Sequence, residues 1–188
     1  MPYYNHHIQS KLPKIGTTIF TTMSKLANDH GAINLSQGFP DFDVDERLKN
    51  LAIKYIKKGP HQYAPMQGAF PLREAICEKV NTMYNASYDV EKEITITAGA
   101  TQAIYTAISA LVKENDEVIL FTPAYDCYVP AIEICGGKPV FFQLEGPDFA
   151  INWEEVKKLI NHKTRMIIIN SPHNPTGSVL SKKDFLAL

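Results

Sequence analysis

The spacing of apolar positions changes character near residue 93. Beyond it, short β-branched runs alternate with stretches whose apolar residues recur at helical spacing, the signature of strands joined by helical crossovers in a largely parallel sheet. Ile94, Ile96 and Ala98 alternate as strand residues do, and Ala103, Ile104, Ala107, Ile108 and Leu111 follow with the period of a helix. The change from strand to helix falls at Gly99, Ala100 and Thr101. Downstream, "EVILFT" and "PVFFQL" read as buried strands, "NWEEVKKLI" as a helix opened by an Asn152 and Glu155 capping box, and "RMIIIN" as a further strand. Ser181 and Asp184 in "SKKDFLAL" mark the start of one more helix. The first sixty residues carry mainly Gly and Pro punctuation, and upstream of residue 93 the pattern predicts one helix, beginning near Leu72. The expectation is an α/β fold, a mostly parallel sheet flanked by helices.

Composition narrows the partner more than the fold. With 45% hydrophobic and 21% charged residues the chain belongs with soluble globular proteins, not with disordered or collagen-like ones. Nineteen basic against twenty acidic side chains leave a net charge of −1, so no field recruits nucleic acid or an anionic membrane surface, and a small molecule is the expected partner. Cys77, Cys127 and Cys135 are odd in number and lack ligand spacing, which reads as reduced thiols and predicts neither a disulfide framework nor a metal site. The opening "MPYYNHHIQSKLPKIG" lacks a charged region followed by an apolar core, which points to the cytoplasm.

Five short segments offer chemistry, and each has a plainer reading. In "TAGATQA" a strand opening through Gly99 into a helix aims backbone N–H groups and the positive end of a helix dipole at one point, which suits a phosphate; a tight turn needs the same glycine. In "TPAYDCY" the ring of Tyr125, at a strand's carboxyl end, can cover a planar ligand, or Tyr125 or Tyr128 can simply pack between helix and sheet. In "NSPHNPTG" the prolines and Gly177 fix the backbone around Asn174, whose amide can orient a polar ring substituent or merely start a turn. His173 beside it reads as solvated. "INLSQGFPDF" places Gly38 where its N–H can meet a carboxylate, and "QYAPMQGAF" places Tyr63 in a loop where its hydroxyl can meet a phosphate; both also read as turns. Neither G-x-G-x-x-G nor a P-loop occurs, which argues against a nucleotide-binding domain.

Together and in this order, the five segments closely resemble the first half of class I aminotransferases of the fold-type I pyridoxal-phosphate family, and most of all the methionine and aromatic aminotransferase branch that includes kynurenine aminotransferase and glutamine transaminase K. The resemblance runs from Lys11 onward. It implies that Gly99, Ala100 and Thr101 cup the phosphate of pyridoxal 5'-phosphate, that Tyr125 stacks on its ring, and that Asn174 bonds its phenolic oxygen and borders the substrate. It further implies that Tyr63 reaches the phosphate of a neighbouring subunit in a homodimer, and that Gly38 meets the substrate carboxylate. The implied reaction moves an amino group from an amino acid to a 2-oxo acid.

The same resemblance says what to miss. The D-x-x-Y segment, the S-x-S-K segment with the Schiff-base lysine, and the arginine of a small C-terminal domain all belong after Leu188, and Lys182 and Lys183 match none of them and read as solvated. The expected organisation is an arm and substrate-side segment at 1–45 and the first part of a cofactor-binding large domain at 46–188, truncated. Such a fragment is expected to be inactive alone. The alternative is a short protein that has lost catalysis and serves as a cofactor-binding or dimerisation module.

Overall fold

A computed structural model describes residues 9–38 and 40–188, so the first eight residues of the opening segment and Phe39 of "INLSQGFPDF" lie outside the described residues. By internal packing the described residues form two compact units, residues 17–98 and residues 99–188 with residues 9–16.

The second of these holds the sheet. Helix α4 (Ala100–Leu111) leads into strand β1 (Glu117–Thr122), helix α5 (Tyr128–Ile134), strand β2 (Lys138–Gln143), helix α6 (Trp153–Lys157), strand β3 (Thr164–Ile168) and helix α7 (Lys182–Ala187). The strand order is β2-β1-β3 and both pairings are parallel, as the pattern predicts. β1 is central, and its four inner residues are buried, which is what a strand covered on both faces requires. Successive side chains leave opposite faces. Val118 and Leu120 therefore meet Ile108 and Val112 of α4 and Tyr128, Ala131 and Ile132 of α5, while Phe121 meets Leu144, Trp153 and Val156 on the other face.

The predicted helix starts mostly hold. Ser181 and Asp184 form a complete capping box on α7, and Asn152 caps α6 by accepting from the Glu155 N–H. α5 was not expected. It is a short helix of about two turns, buried through Tyr128, Ala131 and Ile132, and too short to show a period.

The other unit corrects the reading twice. The run at Ile94, Ile96 and Ala98 is not a strand: the Ile96 N–H donates to the Gln67 carbonyl at 2.8 Å, but no strand ladder forms there, and alternation alone does not make a sheet. Among the described residues of the first sixty are two helices, α1 (Ile19–Asp29), capped by Thr18, and α2 (Glu46–Lys58), capped by Asp45. Helix α3 (Phe70–Tyr84) begins two residues before the expected Leu72.

Candidate functional site at the carboxyl end of the sheet

Because β1 and β3 are parallel, the segments that follow them, residues 123–127 and 169–178, leave the sheet at the same end. The connection 112–116 turns the chain back, so α4 starts at that end too. Thr101 accordingly lines a small apolar groove with Cys127 and Ala131. The structure thus brings Gly99, Ala100, Thr101, Tyr125 and Asn174 to one edge of one unit. Tyr63 and Gly38 belong to the other unit.

Gly99 is the residue before the first turn of α4, with φ of +97°, a conformation that favours glycine. No side chain caps this helix, and no atom lies within 4 Å of where a Gly99 Cβ would stand. The positive end of α4 is thus not capped by a side chain.

Of the two tyrosines after β1, Tyr128 is the packing residue. It is buried in the first cluster, and burial pushes its phenol above the ordinary value. Tyr125 is half-buried against that cluster and meets Tyr128 edge-on, with centroids 5.9 Å apart and planes at 76°. Between them, Cys127 has its thiol pushed up by burial and by the Asp126 charge.

Asn174 sits exposed on a tight turn. The His173 N–H donates to the Ser178 carbonyl and the Gly177 N–H to the His173 carbonyl, each at 2.7 Å, and Gly177 takes φ of +76° to close the turn. The Ser171–Pro172 and Asn174–Pro175 bonds are cis. The Asn174 N–H donates to Asn170 Oδ1 at 2.5 Å. His173, expected to be solvated, is instead half-buried, which lowers its pKa, and its Nδ1 lies 2.8 Å from Thr176 Oγ1.

Gly38 is exposed, with no atom within 4 Å of its Cβ position, and Tyr63 is fully exposed at 101%. Lys182 and Lys183 are exposed at the start of α7, as expected.

Two further groups escaped the sequence reading. Arg73, only 3% exposed, donates from Nε to the Gly68 carbonyl at 3.2 Å and from Nη1 to the Val90 carbonyl at 2.6 Å, with Glu91 3.5 Å away and the Phe70 ring beneath it at 5.5 Å. Its signal was a charge on the stripe 73, 76, 80 and 84 that α3 otherwise fills with Ile76, Val80 and Tyr84. Asp184 also accepts from the Trp153 indole N–H at 3.0 Å, a contact between distant residues that no local pattern announces.

Residues 30–188 match the family of class I and II aminotransferases, and the chain belongs to it. Members of this family work with pyridoxal 5'-phosphate. The chain is 51% identical to the methionine aminotransferase of Escherichia coli K12 over 180 residues, which is 96% of this chain and 47% of that protein. It is 33% identical to human kynurenine–oxoglutarate transaminase 3, over 93% of this chain and 41% of that one. The solved structure of YbdL from Escherichia coli, described as a methionine aminotransferase, superposes with a TM-score of 0.92 at 49% identity, over 97% of this chain and 48% of its own. The chain spans about half the length of the relatives it matches.

Proposed function

We propose that these residues are the N-terminal half of a pyridoxal-phosphate-dependent aminotransferase that takes its amino group from methionine, aromatic or glutamine-type donors. The observation that carries the reading is the grouping of Gly99, Tyr125 and Asn174 at one sheet edge. The residues fit the cofactor: a helix start with no side-chain cap suits a dianion, a half-exposed ring suits a flat heterocycle, and an exposed amide on a fixed turn suits a phenolic oxygen.

When bound, pyridoxal phosphate supplies an electron sink for the pair released as an amino acid loses its α-proton. In this reading the Ala100 and Thr101 N–H groups and the Thr101 hydroxyl hold the phosphate, the Tyr125 ring covers one face of the pyridine, and the Asn174 amide donates to the ring oxygen and borders the substrate. The Gly38 N–H meets the substrate carboxylate. Tyr63 acts across a homodimer interface in this reading, and within these residues it is fully exposed.

Residues 1–45 then form the arm and substrate side, and 46–188 the first part of the large domain. The lysine that carries the cofactor lies beyond Leu188, so residues 1–188 alone do not turn over. Three free thiols fit a cytoplasmic setting, and no helix among the described residues is long and apolar enough to cross a membrane.

Intact mass after incubation with pyridoxal phosphate and borohydride tests the reading. A mass above 21.1 kDa with one cofactor fixed to a lysine supports it. A mass of 21.1 kDa without a site-specific adduct overturns the enzymatic reading and leaves the binding module. Asn174→Ala in the complete protein is expected to shift the absorption of the bound cofactor and to lower turnover at least tenfold, the order of one lost charge-assisted hydrogen bond. An unchanged spectrum and unchanged kinetics refute the role of Asn174.

A further inference from the structure

We propose that Thr176, together with His173, Ser178 and Asn170, clamps the turn that carries Asn174, so that these four are positioning residues that set where the Asn174 amide points. The inference rests on the cofactor role proposed above for Asn174. An exposed side chain on a turn orients nothing unless its backbone is held, and here both flanks are held by side chains.

On one flank the Asn174 N–H is bonded to Asn170 Oδ1 at 2.5 Å. On the other, Thr176 Oγ1 has three partners: His173 Nδ1 at 2.8 Å, Ser178 Oγ at 2.9 Å and the Ser178 N–H at 3.3 Å. A hydroxyl has one proton to give and two lone pairs to receive, so three partners use its whole capacity. The Ser178 N–H takes one lone pair, and the hydroxyl donates to one of the remaining two partners and accepts from the other. Either imidazole tautomer closes this chain, because the Ser178 hydroxyl can donate or accept. Burial of His173 favours the neutral ring that such an arrangement uses. The network bridges residues 173, 176 and 178 around Asn174 and Pro175, beside the backbone pair between His173 and Ser178.

Thr176→Val keeps the branched shape and removes the hydroxyl, whereas Thr176→Ser keeps the hydroxyl. Asn170→Ala and Asn170→Asp make the same contrast at the other flank, since Asp retains the accepting oxygen. Two readouts in the complete protein decide: hydrogen exchange of the His173, Asn174, Gly177 and Ser178 amides, and the dissociation constant for pyridoxal phosphate. Thr176→Val and Asn170→Ala are each expected to speed exchange about tenfold and to weaken cofactor binding about tenfold, the size of one lost hydrogen bond, with Ser and Asp restoring both. Parent-like exchange and affinity in Thr176→Val and Asn170→Ala, or Ser and Asp variants as damaged as Val and Ala, overturn the clamp. A parent that binds no cofactor, while Thr176→Val still loosens the turn, upholds the clamp and overturns the cofactor reading instead.

Discussion

Removing the Arg73 guanidinium should loosen the unit of residues 17–98 more than any other single polar change in it. The side chain is 3% exposed and ties three places together: the carbonyl of Gly68 before α3, the carbonyl of Val90 after it, and the Phe70 ring on the helix itself. The 2.6 Å bond to Val90 is a charged donor at short range, worth about 2 kcal/mol, and the 3.2 Å bond to Gly68 is longer and worth about 1 kcal/mol. The ring contact adds about 1 kcal/mol. The Glu91 carboxylate, 3.5 Å away but with its side chain 65% exposed, adds little. Against this stands the cost of keeping a cation out of water, which removal recovers in part. Arg73→Ala should therefore cost about 3 kcal/mol net, because it also leaves two carbonyls without a donor. Arg73→Lys keeps the charge but its single ammonium cannot span both carbonyls, and about half of that loss is expected. Since two units need not unfold together, the assay is native-state hydrogen exchange read at the Gly68, Lys92 and Glu93 amides, with urea unfolding as a second measure. An Ala variant within about 1 kcal/mol of the parent, or a Lys variant as weak as Ala, refutes this ledger.

Asp184 carries a pH prediction. Hydrogen bonds from Ser181, then from the Trp153 indole, hold its carboxyl at about 2, below the ordinary 3.8, so the stability it adds is complete above 3.8 and fades as pH falls toward about 2. Trp153, the single tryptophan, reports this by fluorescence; Asp184→Asn should flatten the acid limb of stability, and an unchanged limb counts against the contact. In the core, Ile132 is fully buried between α4 and β1, and Ile132→Ala should cost about 3 kcal/mol in urea unfolding, where a loss under about 1 kcal/mol would mean the packing is wrong.

What was legible in the sequence was whatever local spacing controls. β1, β2 and β3 and their parallel pairing were readable because a central strand buried on both faces must be a continuous apolar run, and the starts of α6 and α7 because a capping side chain reaches only three residues along the chain. The candidate site was legible as residue types at strand ends. The tether from Trp153 to Asp184 spans 31 residues and was not. Nor was the half-buried state of His173, because it depends on Thr176 and Ser178 folding back over it, and a lone loop histidine carries no such mark. Alternation misled at Ile94, Ile96 and Ala98, where extended residues have the strand pattern without a ladder.

Helices α1 and α2 make a different case, because their signal was present. Leu48, Leu51, Ala52, Tyr55 and Ile56 of α2 recur at helical spacing, yet α2 buries no residue, and Leu48, Tyr55 and Ile56 are 60%, 60% and 72% exposed. The same holds just after α1, where Ile33 and Leu35 are 86% and 89% exposed. This apolar surface is patterned for burial and not buried by these residues, and amphipathic stripes of this kind stabilise a helix only when something covers them. In the proposed aminotransferase, the cover is the remainder of the subunit and the second copy that Tyr63 faces. The helices were hard to place from 188 residues for the same physical reason that those residues leave them bare.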